Sequence, residues 1–335
     1  MNSSKRIYEY DIYRILVTLL VVLGHINFTG LVDRNLGYWG NTFVSHQGSF
    51  LDWIYSFHMP AFAFLSGMIY NAEKYISFDK LLITKFKRLL IPYFCIGLFI
   101  LFPLKTVLKL YSISDLLSLF NQFITGQGES EHLWFLLALF WCFVLFYFPC
   151  KYVFGKSVLG GGITIFFIAR YITRIDFDLY LFRTGTTYLL PFSVGYIFNY
   201  YYAKWYFIKK EVQIIYSIIY ITLSILNFYY YDKVLNIYLL HYAGIFFLIC
   251  IANILKPLVE EYKQKVMFLS DQTFAIYLLH VPIVFVFDIY IKTKLASTLG
   301  MVIYFIICLG ILITGPILLN IMYCKLKQNI LVPKH

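Results

Sequence analysis

Long apolar runs, each near the ~20 residues that an α-helix needs to cross a bilayer core, recur along the whole chain and are separated by short polar segments. They place about ten spans at roughly 12–29, 50–70, 89–104, 132–149, 157–173, 186–203, 212–230, 237–255, 273–291 and 297–320. Gly160, Gly161 and Gly162 weaken the start of the fifth, and the third ends near Pro103 and Lys105. Two connecting segments are long, 30–49 and 105–131. The second contains the apolar stretch Ile113 to Ile124, with Ser114 and Asp115 as helix-start signals, which reads as an interfacial helix lying on the outer face. There is no internal repeat and no low-complexity tract. The expected fold class is all-α: one polytopic membrane domain over residues 1–335.

Composition agrees with the pattern. The chain is 61% hydrophobic and 13% charged, with a mean hydropathy of +0.73, whereas soluble domains carry about 25% charged residues. The net charge of +11 does not point to nucleic acid, because Lys and Arg sit in the short segments between apolar runs. With the N-terminus in the cytoplasm, 18 Lys and Arg fall on inner segments and 9 on outer ones, with Arg14 completing the 28. That bias follows the positive-inside rule and puts both termini in the cytoplasm. Cys95, Cys142, Cys150, Cys250, Cys308 and Cys324 form no CxxC pair and read as small hydrophobes rather than a metal or disulfide framework. The first span reads as uncleaved, because Asp11 and Arg14 interrupt its onset and no small-residue cleavage site follows.

The first span also carries the most informative chemistry. Arg14 and His25 share one apolar segment, and an ionisable residue in such a segment marks a functional site by default. Eleven residues at about 100° each leave a net rotation of roughly 20°, so both lie on one helix face, roughly 16 Å apart along the axis. Asp11 and Thr18 fall near the same stripe. His25 can serve as a general base near neutral pH or as a buried histidine bonded to a neighbouring helix. Arg14 can clamp an anion or pair with Asp11 one turn away. In Phe57-His58-Met59-Pro60, followed by Leu65-Ser66-Gly67, Pro60 can free backbone groups where a cavity is lined. His58 then reads as a hydrogen-bonding partner at the helix break, while Ser66 and Gly67 allow close helix packing.

Lys85, Lys87 and Arg88 form a basic stretch before Leu89-Leu90-Ile91-Pro92. It is either a cytoplasmic mouth for a polyphosphate ligand or ordinary flanking charge at the headgroups. Glu131 and His132, beside Leu133-Trp134, open the fourth span and pair a carboxylate with an imidazole; an interfacial anchor is the alternative. His280, following Tyr277-Leu278, lies inside the ninth span, where helix packing is its default role. The chain has no GxxxxGK[ST] loop, no HExxH, no GxSxG elbow and no DxD pair, so nucleotide hydrolysis, zinc proteolysis and serine hydrolase chemistry have no support.

Taken in order, these segments resemble integral-membrane acyltransferase family 3. The likeness is carried by Asp11-x-x-Arg14 with His25, His58-Met59-Pro60 through Ser66-Gly67, the basic stretch before Pro92, His132-Leu133-Trp134, and Tyr277-Leu278-x-His280. It spans nearly the whole chain, and is nearer to the capsule and exopolysaccharide acetyltransferases and fucose 4-O-acetylases than to two-domain peptidoglycan enzymes. The resemblance implies a ten-span fold in the plasma membrane of a bacterium. It implies acetyl-CoA as donor, no metal, and a cell-surface polysaccharide or lipid-linked glycan as acceptor. His25 would be the catalytic base or acyl carrier, Arg14 would place the donor, and Lys85, Lys87 and Arg88 would meet its phosphates. Glu131 and His132 would lie at the acceptor mouth, with Asp11, Thr18, His58, Ser66, Tyr277 and His280 in supporting positions. The family often carries Arg-x-x-Arg where this chain reads Lys85-x-x-Arg88, and lysine lacks the bidentate fork. A homo-oligomer stays open beside a monomer. The competing readings are a transporter or flippase for a lipid-linked glycan or acyl donor, and a scaffold for a polysaccharide-synthesis complex.

Overall fold

A computed structural model describes residues 6–28, 38–71, 74–75, 77–108, 116–125, 131–154, 180–205, 209–229, 237–295 and 297–331. Among them all regular structure is helical. The α-helices are α1 Tyr8–His25, α2 Tyr38–Met68, α3 Phe78–Val107, α4 Leu116–Thr125, α5 Trp134–Pro149, α6 Tyr180–Trp205, α7 Lys210–Tyr229, α8 Ile237–Val259, α9 Lys263–Tyr290 and α10 Thr298–Leu331. Among the described residues four segments are long and apolar enough to cross a membrane: Phe78–Val107, Trp134–Tyr152, Tyr242–Tyr290 and Thr298–Gln328. The expected fifth span at 157–173, Ser114 and Asp115 lie outside the described residues.

Several helices extend past their expected ends, because polar residues inside them face protein rather than loop water. α2 begins at Tyr38, so the segment expected as an outer loop over 30–49 is helical from 38 onwards. Its Gln47, polar and therefore loop-like in sequence, is 4% exposed and bonds the backbone just beyond α1. α9 begins at Lys263 rather than near 273 because Ser270 and Asp271 bind partners on the N-terminal segment. α3 contains π turns at Phe86–Leu90 and Gly97–Leu101. Each is closed by an i to i−5 bond from the residue before a proline, Ile91 N–H to Phe86 O and Phe102 N–H to Gly97 O. The wider turn makes room for the rings of Pro92 and Pro103, so the helix runs on through residues that would otherwise kink it.

The chain forms two compact units, residues 1–58 with 214–335, and residues 59–213. In the first, α1 packs on α8, α9 and α10. Its core holds Val22, Ile26, Phe28, Val44, Ile276, Val284, Met301, Tyr304 and Cys308. In the second, α5 packs on α6 and on α3, with Tyr70, Phe143, Phe146, Phe192 and Tyr196 meeting as an aromatic cluster. α4, the described part of the segment expected as an interfacial helix, packs on α3: Tyr93 stacks on Phe123 at 4.5 Å and its hydroxyl donates to Phe123 O at 2.6 Å.

Candidate active site

Along the polar line of α1, Asp11 and Thr18 are buried against protein, while Arg14 and His25 are half-buried. Glu9 is 7% exposed and Asp11 3%. Glu9 pairs with Lys256 at 2.6 Å, and the Tyr8 hydroxyl donates to Val259 O at 2.9 Å. Asp11 receives two bonds from the guanidinium of Arg6, Nε to Oδ2 and Nη2 to Oδ1, both 2.7 Å. Arg6 reaches Asp271 as well, at 2.9 Å. Asp11 first, and then Asp271, raise the proton affinity of Arg6 above its ordinary value. Sequence spacing leaves Arg14 either to clamp an anion or to pair directly with Asp11. The structure instead links them through Ser270, whose hydroxyl donates to Asp11 Oδ1 at 2.7 Å and accepts from Arg14 Nη1 at 3.3 Å. The Thr18 hydroxyl donates to Arg14 O at 2.8 Å and is taken up by its own helix.

This cluster yields a stability prediction. Asp11→Ala removes the buried acceptor of two charged bonds and of Ser270. Breaking a buried pair costs about 3–5 kcal/mol, but Arg6 is 39% exposed and keeps Asp271, so the expected loss is about 1–3 kcal/mol. It should be read as a lowered melting temperature, with Asp271→Ala the milder of the two.

His25 is the last residue of α1, where a helix leaves carbonyls without intrahelical partners. Side chains from other helices take them up. The Tyr55 hydroxyl donates to Gly24 O at 2.6 Å, Gln47 Nε2 to Ile26 O at 2.8 Å, and Lys292 Nζ to Asn27 O at 2.9 Å. Gln47 Oε1 accepts from Phe28 N–H at 2.6 Å. Lys292 is in turn paired with Asp288, which accepts from the Tyr304 hydroxyl at 2.9 Å. The backbone around His25 is thus fixed by three side chains through four main-chain bonds, which do not involve its imidazole.

The imidazole itself is half-buried. Its Nδ1 lies 2.8 Å from Val21 O. A carbonyl only accepts, so Nδ1 carries the hydrogen and the lone pair of the neutral ring is on Nε2. His280, fully buried, stands edge-on to it with ring centroids 4.8 Å apart, and its Nε2 is 3.4 Å from His25 Nδ1. The Tyr277 ring is buried 6.2 Å from that of His280. His58 is buried, and its Nδ1 bonds Ile54 O at 2.8 Å. That carbonyl is one regular turn back, so the expected bond at a break made by Pro60 is replaced by one within the helix.

The second unit holds the basic stretch. Lys85, Lys87 and Arg88 read alike in sequence, but Lys85 is buried at 6% exposure while Lys87 and Arg88 are exposed. Lys85 Nζ sits 3.2 Å from the Phe143 ring centroid and 5.7 Å from that of Tyr75. Among the described residues no carboxylate pairs with it. Ser66 is half-buried beside Gly67. His132 is buried on the 3-10 turn Glu131–Leu133 that opens α5; the side chain of Glu131 lies outside the described residues.

Arg6, Ser270 and Asp271 were not singled out in sequence. Each stands at the end of a span, where polar residues are ordinary, and the pairing crosses more than 250 positions. His280 carried a visible signal, an imidazole in an apolar run, but its partner was hidden.

The chain is helical with segments apolar enough to cross a membrane, and its first helix holds paired carboxylates and ends on His25. The chain matches the acyltransferase domain model of family 3 over residues 7–320 and belongs to that family. It is an acyltransferase. Comparisons with curated proteins and with solved structures give no match.

Proposed function

We propose that the protein transfers an acetyl group from acetyl-CoA to a hydroxyl of a cell-surface polysaccharide or its lipid-linked precursor. His25 is the base that takes the hydroxyl proton, or the nucleophile that carries the acetyl group. The observation that carries this reading is the Nδ1 bond to Val21, which puts the lone pair of a half-exposed imidazole on Nε2. A neutral imidazole so oriented meets the requirement for general-base or nucleophilic catalysis. Arg14, oriented by Ser270, supplies a cation on the same helix for an anionic part of the donor. The proposed setting is a ten-span bundle in the plasma membrane of a bacterium with both termini cytoplasmic, as the distribution of Lys and Arg favours.

The chemistry of Lys85 fits the phosphates of a CoA thioester. A buried ammonium without a carboxylate is costly, and an incoming polyanion would offset that cost; the exposed Lys87 and Arg88 extend the same positive charge. When bound, the thioester supplies the acyl carbon and a thiolate leaving group. Lys85→Met separates this role from a structural one. We expect the melting temperature of the unliganded protein to stay level or rise, because a buried charge is removed. The KM for acetyl-CoA should rise about tenfold, the ~1.4 kcal/mol of one charge-assisted contact. A fall in stability with unchanged KM would make Lys85 structural.

The reaction is tested by proton NMR of surface glycan from the native host, its deletion strain and the complemented strain. The expected result is O-acetyl signals that vanish on deletion and return on complementation. Unchanged acyl signals with reduced glycan export would favour transport of a lipid-linked glycan instead.

A further inference from the structure

His280 has no assigned part in the reaction, yet its placement is specific. Its Nδ1 lies 2.8 Å from Tyr277 O and 3.0 Å from Ile276 O. Two carbonyls at one nitrogen require the hydrogen to be there, so the in-plane lone pair of the neutral ring is on Nε2. That nitrogen is the one 3.4 Å from His25 Nδ1, and the rings meet at 80°. The His25 Nδ1 hydrogen therefore has two acceptors, Val21 O at 2.8 Å and His280 Nε2. Packing alone would need the ring volume and the intrahelical bond, not a lone pair turned toward the other imidazole.

We propose that His280 is a positioning residue for His25. Its Nε2 holds the His25 ring in the Nδ1–H tautomer and shares the positive charge that forms when His25 takes a proton. The inference rests on the reading of His25 as the base. In the step, the acceptor hydroxyl gives its proton to His25 Nε2 as its oxygen bonds the acyl carbon. The carbon–sulfur bond then breaks, and the proton passes from Nε2 to the departing sulfur. The Nδ1 hydrogen stays between Val21 O and His280 Nε2 throughout, so His280 ends the cycle neutral. The arrangement parallels a metal-bound or catalytic histidine whose second nitrogen is held by an acceptor.

Membrane vesicles from the native host, given radiolabelled acetyl-CoA, report label entering glycan. His280→Asn keeps an amide N–H for the helix carbonyls but loses the acceptor toward His25. Its maximal rate per amount of protein should fall about 10–100-fold, with the KM for acetyl-CoA within about twofold and the melting temperature kept. His280→Gln, whose amide oxygen can replace the acceptor, should recover part of that rate. The double variant with His25→Ala should be no slower than His25→Ala alone, because the two act as one unit. A full rate in His280→Asn, or no advantage of Gln over Asn, would overturn the proposal. Full transfer by His25→Ala would instead remove the base reading itself, whereas an inactive His25→Ala beside a fully active His280→Asn removes only the role of His280. If the Asn variant does not accumulate, Gln is compared with His280→Phe, which keeps ring volume: recovery in Gln alone supports the proposal, and equal rates overturn it.

Discussion

His25→Ala should lower the rate of acyl transfer by about 10³–10⁴-fold, the range associated with removing a general base or an activated nucleophile. The effect should fall on chemistry, because the ring is not what holds its surroundings. Tyr55, Gln47 and Lys292 bond the backbone carbonyls of Gly24, Ile26 and Asn27, and these bonds survive loss of the imidazole. The variant should therefore accumulate, keep the melting temperature within a few degrees, and bind acetyl-CoA with a near-normal Kd. Single turnover separates the two chemical roles of His25. If the residue carries the acyl group, labelled acetyl-CoA without acceptor leaves label on the parent protein and none on His25→Ala. If it acts as a base, neither protein is labelled. Transfer at the parental rate by folded His25→Ala would end the assignment.

The prominence of His25 and Arg14 was legible in sequence because charge is rare inside apolar runs, so an ionisable residue there stands out without knowledge of its neighbours. The basis of their placement was not. Asp11 is satisfied by Arg6, a residue that in sequence is one more flanking cation, and the Ser270 that ties Arg14 to Asp11 lies 259 positions from Asp11. Such pairs follow from which helices meet, and apolar periodicity reports only that a face is buried, not against what. The same limit hid the approach of His280 to His25. Among the described residues the apolar runs are helical as their length implies, but ends differ where polar side chains are turned inward, as at Gln47 in α2 and Ser270 in α9. The basic stretch shows a finer version of the problem: three cations in four residues read alike, as a mouth or as flanking charge, while burial separates Lys85 from Lys87 and Arg88.

Gly67→Ala should be severely destabilising although it adds a single methyl group. Within the second unit, α2 and α6 meet at two glycines with the backbone of the other helix against each. A Cβ on Gly67 would lie 1.8 Å from Phe192 O, and one on Gly195 would lie 2.0 Å from Phe64 O. Real Cβ atoms essentially never come closer than 3.0 Å, so either substitution must move the helices apart by about 1 Å. The obstacle is a main-chain carbonyl, which cannot swing aside like a side-chain tip. Separation would also loosen the aromatic contacts beside it, where Tyr70 meets Phe192 at 5.8 Å and Tyr196 at 6.2 Å. Overpacking ordinarily costs about 1–3 kcal/mol; with backbone on both sides and no rotamer to relieve it, the upper end or beyond is expected. The check is the melting temperature of the detergent-solubilised protein, with Gly48→Ala, where a Cβ meets nothing within 4 Å, as the neutral comparison. The double variant Gly67→Ala/Gly195→Ala should cost clearly less than the sum of the two, because one displacement of the helices relieves both clashes. Additive losses would mean that the two glycines do not share a single contact, and a Gly67→Ala protein as stable as the parent would mean that α2 and α6 do not approach as closely as their backbones indicate.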